Sequence, residues 1–190
     1  MIGNGDKQLV VTGISIRKIA FAGVIAALYA ALTVAIAPIS YGPLQFRIAE
    51  ALCILPFFFP MAVPGLFIGC IIANLLSPYG ILDVVVGSAA SLLAAICTMQ
   101  IGKAGRERLP VKILACLPPV IFNAVFIGAL IAWFMVGYSD TGVFLAAFAI
   151  SGLQVGFGQL VVMYALGLPL MIYLPKSRVY VKLLDYYGKK

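Results

Sequence analysis

With 190 residues, 64% of them hydrophobic and 10% charged, and a mean hydropathy of +1.13, the chain is too apolar for a water-soluble globular domain. Its net charge of +7 arises from 13 Lys and Arg against 6 Asp and Glu, clustered between apolar runs, which makes them membrane topology signals and leaves nucleic-acid binding without support. The absence of histidine removes the usual acid/base centre and a common metal ligand.

The first residues, MIGNGDKQLVVTGISIRK, lack a short hydrophobic core followed by a small-residue cleavage site, so the first apolar run is predicted to stay as a helix. Apolar runs broken by Pro, Gly and charge predict an all-α integral membrane bundle with six spans, near 18–37, 44–60, 63–78, 80–101, 111–137 and 143–174. The chain thus reads as one membrane domain over 1–190: a cytoplasmic segment at 1–17, a six-helix bundle at 18–174 and a basic cytoplasmic tail at 175–190. Lys7, Arg17 and Lys18 precede the bundle, Lys103, Arg106, Arg108 and Lys112 join spans four and five, and Lys176, Arg178, Lys182, Lys189 and Lys190 follow span six. An even span count puts 12 of the 13 basic residues on one side, which the positive-inside rule makes the cytoplasm, with both termini there and Asp140 in an outer loop.

Span one carries two ladders of small residues, Ala22, Ala26 and Ala30 beside Gly23, Ala27 and Ala31. Such faces either pack inside the bundle or dock a second membrane protein. The following stretch, PISYGPLQF, is broken by Pro38, Gly42 and Pro43 and offers Tyr41, Gln45 and Phe46 at the mouth of a pocket. Between Lys18 and Lys103 the only charges are Arg47, Glu50 and Asp83. Arg47 and Glu50, three apart, either neutralise one another on one helix face or bind a ligand, Glu50 accepting hydrogen bonds and Arg47 donating to a carbonyl-like oxygen. Asp83, after the turn SPYG, either steadies a helix N-terminus or touches the same ligand.

Asn74 at the end of span three, Asn123 about 16 Å inward from Lys112 at 1.5 Å per residue, and Gln154 and Gln159 in span six complete the polar inventory. Each is either interhelical glue or a pocket contact, and together they outline a cavity open to the outside and ending near mid-bilayer. Gly152, Gly156 and Gly158 serve either close helix packing or room for a planar ligand, and Trp133 reads as an interfacial anchor. Cys53, Cys70, Cys97 and Cys116 form no CxxC pair and read as small buried hydrophobes. With no Walker motif, GxGxxG, metal-ligand cluster or visible internal repeat, no cofactor or metal is expected and energy for uptake must come from elsewhere.

The segments YGPLQFRIAEALCILPFF (41–58), PGLFIGCIIANLLSP (64–78) and GILDVVVGSAASLLAA (80–95) resemble the QueT family of queuosine-precursor transporters, with a weaker likeness through VGFGQLVVMYALGLPL (155–170). The resemblance implies a substrate-binding S component of an energy-coupling factor (ECF) transporter in the bacterial cell membrane. It implies no catalysis of its own, partners consisting of a transmembrane T component and two ABC ATPases, and docking through the small-residue face of the first helix. It also implies a 7-deazaguanine such as preQ1, preQ0 or queuine as substrate. Glu50 or Asp83 then suit its donor edge and the aminomethyl cation of preQ1, Arg47 or an amide its carbonyl, and Tyr41, Phe46, Phe122 or Phe157 its ring. Related sequences often have an acidic residue where this chain has Gln159, which keeps hydrogen bonding and removes charge. The other readings are an importer subunit for another small planar vitamin-like molecule, a membrane-embedded enzyme using Glu50 and Asp83, and a scaffold subunit without ligand.

Overall fold

A computed structural model describes residues 10–11, 14–42, 44–137 and 140–188; Lys7, Pro43, Lys189 and Lys190 lie outside them. A two-residue antiparallel ladder, β1 (Val10–Val11) with β2 (Ile14–Ser15), precedes a helical body. Helix α1 (Ile16–Ala35) is followed by the single turn α2 (Ala37–Ser40) and a loop of tight turns. Next come a 3-10 segment (Ile48–Ile54), α3 (Leu55–Phe58), α4 (Ala62–Asn74) and α5 (Gly80–Gly102). The second half contains α6 (Leu109–Ala115), α7 (Leu117–Val136) and α8 (Thr141–Val162), then a π turn (Met163–Gly167), α9 (Leu168–Tyr173), a 3-10 turn (Leu174–Lys176) and α10 (Arg178–Gly188).

Four stretches among the described residues are long and apolar enough to cross a membrane: Ile16–Ala35, Gly80–Gly102, Leu109–Val136 and Thr141–Lys176. They match the first, fourth, fifth and sixth expected spans. The expected spans 44–60 and 63–78 are instead short helices, Ile48–Phe58 and Ala62–Asn74. Proline explains the first shortening. Pro56 has no N–H for the Leu52 carbonyl, so the preceding residues tighten into 3-10 geometry, and Pro60 follows the end of α3. The same chemistry accounts for the π turn, since Pro169 cannot bond the Ala165 carbonyl. The expected basic tail is also folded over 178–188: Ser177 caps the start of α10, its Oγ accepting from the Tyr180 N–H at 3.1 Å, and Tyr180 packs edge-on against Phe58.

Glycine contacts set the helix spacing. A Cβ on Gly65 would stand 2.6 Å from the Ala22 carbonyl oxygen, and one on Gly69 would stand 2.8 Å from that of Ala26, so α4 lies directly on α1. This divides the two ladders. Ala26 and Ala30 are buried and Ala22 is half-buried against α4, whereas Gly23, Ala27 and Ala31 are exposed. The first ladder is therefore an internal packing face, one of the two uses expected of it. On the other side, Gly128 of α7 meets Gly152 of α8 with only 2.6 Å for a Cβ, and Gly156 abuts Ala124, which gives these glycines a packing role. The helices run as successive neighbours α1, α4, α5, α7 and α8, and the Ile48–Ile54 segment touches α1, α5, α8 and the π turn. That segment occupies the middle of the bundle.

Candidate ligand-binding site

The 3-10 segment carries its polar residues into a buried cluster. Glu50 is fully buried; its Oε1 accepts from the Tyr29 hydroxyl at 2.6 Å and from Ser91 Oγ at 3.4 Å, and its Oε2 accepts from the Cys53 thiol at 3.0 Å. Cys70 extends the network, lying 3.3 Å from Ser91 Oγ and accepting from Asn74 Nδ2 at 3.4 Å. Arg47, 1% exposed, donates from Nη2 to Asn74 Oδ1, and Asn74 Nδ2 donates to the Asp83 carbonyl at 2.9 Å. No Arg47–Glu50 hydrogen bond or ion pair occurs among the described residues: extended backbone at Arg47 sends its side chain to α4, while Glu50 points at α1 and α5.

Helix α5 gives a depth scale. Asn74 bonds at Asp83, Glu50 and Cys70 bond at Ser91, and the Phe57 carbonyl lies against Gly102. Eight residues separate Asp83 from Ser91, so Glu50 sits about 12 Å deeper than Asp83 at 1.5 Å per residue. Glu50 thus lies midway along the bundle, away from Arg47 near the Asp83 end. Its position follows from the shortened span, whose helical part begins only at Ile48.

The loop above is held by unusual contacts. Gln45, 2% exposed, has φ +45°, a left-handed conformation that costs a non-glycine residue about 1–2 kcal/mol. Leu44 rests its carbonyl on Gly158 of α8, where a Cβ would overlap it. Tyr41, half-buried, donates from its hydroxyl to the Ala73 carbonyl at 2.6 Å, with the Arg47 guanidinium 5.6 Å from its ring centre. Burial pushes the Tyr41 phenol above its ordinary range, against the opposing pull of Arg47, so it stays protonated and able to donate.

Several buried polar atoms have no hydrogen-bond partner among the described residues: Ser40 Oγ, Arg47 Nε, Asp83 Oδ1, Ser88 Oγ, Asn123 Oδ1, and both Oε1 and Nε2 of Gln159. They come from α2, the loop, α5, α7 and α8, of which α5 and α8 contact the 3-10 segment. Asp83 does not bond the α5 N-terminus through Oδ1, and Asn123 uses only its Nδ2, donating to Pro119 at 2.9 Å. Each buried unpartnered group costs about 1–3 kcal/mol.

Gln154 is half-buried on the flank of the buried α8 face of Ser151, Val155, Gly158 and Gln159. Phe157 is 57% exposed and Phe122 pairs with Phe126 beside an outer apolar cleft, so these two rings stand away from the cluster. Trp133 is half-exposed. Sequence reasoning missed Tyr29, Ser88 and Ser91, and it took Cys53 and Cys70 as hydrophobes. Helical spacing offered one signal: Asp83, Gly87 and Ser91 recur every four residues, placing Ser91 under Asp83.

The family model described as QueT transporter matches residues 19–176. A curated relative, "Queuosine precursor transporter QueT" of Lactococcus lactis subsp. cremoris (strain MG1363), is 42% identical over 72 residues, which make up 37% of this chain and 42% of the relative. The match therefore spans less than half of that relative's length. No solved structure gives a significant match.

Proposed function

This chain belongs to the QueT transporter family, and from that premise we propose that it is the substrate-binding S component of an ECF-type importer that captures a queuosine precursor from outside the cell. The ligand is a 7-deazaguanine such as preQ1 or queuine. The observation that carries this reading is the set of unpartnered polar atoms enclosed in an otherwise apolar bundle. A guanine-like base offers donors and acceptors around a flat ring, the complement that Arg47, Asp83, Asn123 and Gln159 lack among themselves.

The protein is a multi-pass membrane transporter, and in our reading it lies with the Asp83 end of α5 outward and the basic Lys103–Lys112 segment in the cytoplasm. Tyr41 and the loop 44–47 then form the outer wall of the pocket. The loop's Gln45 strain and its seat on Gly158 support a segment held in place for a ligand. ATP hydrolysis belongs to two ABC ATPase partners acting through a transmembrane T component. The exposed Gly23, Ala27 and Ala31 ladder suits close approach of that T component, because a Cβ on Gly23 would meet nothing within 4 Å.

Co-expression tests the assembly. Affinity-tagged chain should co-purify with the T component and both ATPases, and uptake of labelled preQ1 in cells should stop when the ATPases carry inactivating Walker mutations. Uptake that persists without ATP hydrolysis would reject the ECF reading.

A further inference from the structure

The buried polar groups divide by whether their hydrogen bonds are already made, and from that division we infer that Gln159 and Asp83 determine specificity while Glu50 is a positioning residue. Gln159 pairs with a lactam edge of the ligand, an N–H beside a C=O, and Asp83 receives a cationic arm. The inference rests on the reading of the ligand as a 7-deazaguanine.

Gln159 is fully buried with neither amide atom partnered among the described residues. A primary amide presents one acceptor and two donors in a plane, and the group that satisfies it in two parallel bonds is another cis amide, which in a heterocycle is a lactam. Asp83 is 2% exposed with Oδ1 unpartnered among the described residues, and Oδ1 and Asn74 Nδ2 both pack against Gly87, where a Cβ would come within 2.7 Å and 2.5 Å of them. Glu50 differs. Donors from α1, the 3-10 segment and α5 already occupy both of its oxygens, so its carboxylate ties three elements together under the pocket. Arg47 donates to Asn74 rather than to either acid, and Asp83 Oδ1 has no partner among the described residues, which leaves it to a ligand cation.

Two probes separate the roles: 7-aminomethyl-7-deazaguanine and 7-cyano-7-deazaguanine share the lactam edge and differ in the cationic arm. Binding to the purified full-length chain is measured by calorimetry, together with the melting temperature without ligand. Asp83→Asn should weaken the aminomethyl probe by about 10- to 100-fold and the cyano probe much less, lowering the affinity ratio between them. Glu50→Gln should weaken both alike and leave that ratio unchanged. Gln159→Leu should abolish binding of both yet raise the ligand-free melting temperature by about 2–4 °C, because it removes an unpartnered buried amide. The inference is overturned if Asp83→Asn leaves the ratio unchanged, if Glu50→Gln lowers it, or if Gln159→Leu retains affinity or melts lower. Failure of the unsubstituted chain to bind either probe would instead overturn the substrate reading on which it rests.

Discussion

At the scale of the residue, the Tyr29 hydroxyl decides what Glu50 is for. A short hydrogen bond from a buried phenol to a buried carboxylate joins α1 to the 3-10 segment across 21 residues of chain. Tyr29→Phe removes the donor without changing the ring, and a bond to a charged group is worth about 1.5–3 kcal/mol. The variant should therefore melt several degrees lower, at about 2–4 °C per kcal/mol, by thermal unfolding in detergent; an unchanged melting temperature would show the bond to be dispensable. Arg47, Glu50, Asn74 and Asp83 stood out in the sequence because charges and amides are costly in hydrocarbon. Tyr29 did not, since tyrosine in an apolar run reads as core or interface until its partner is known. Cys53 was opaque for the same reason: a thiol is apolar by default and polar only beside an acceptor.

At the scale of the element, the four full-length spans follow from unbroken apolar runs, whereas the two short helices follow from proline and loop seating that no hydropathy window registers. The 44–47 loop reaches inward because Gly158 has no side chain to keep Leu44 away. Gly158→Ala puts a methyl group into that carbonyl, and overpacking of this kind costs about 1–3 kcal/mol. Lower thermal stability together with weakened preQ1 binding is expected, and intact affinity would show that the loop does not form the pocket wall. Helix α1 provides a contrast between its two ladders. Ala26→Leu should destabilise the chain, since Ala26 is 5% exposed against Gly69, while Ala27→Leu on the exposed ladder should leave preQ1 binding intact and abolish uptake. Normal uptake by the Ala27→Leu variant would remove that ladder from the docking face. Spacing of four revealed both ladders in the sequence; which of them faces inward depended on Gly65 and Gly69, some 40 residues away.

At the scale of the whole molecule, a central irregular segment ringed by regular helices lets one chain be apolar outside and polar within. The 3-10 geometry of Ile48–Ile54 places Glu50 midway along α5, and the loop before it keeps Arg47 near the Asp83 end. The cluster was legible as a gathering of polar residues from several spans, but its division into satisfied and unsatisfied atoms required side-chain geometry. That division is the basis for reading the bundle as a capture device for a flat, polar ligand. The most direct measurement is the melting temperature of the purified chain with and without saturating preQ1, because a ligand that binds only the folded protein stabilises it by about 2.7 kcal/mol at 100 times Kd. The account predicts a rise of several degrees with preQ1 and none with vitamins unrelated to guanine; no shift with preQ1, or an equal shift with all of them, would contradict it.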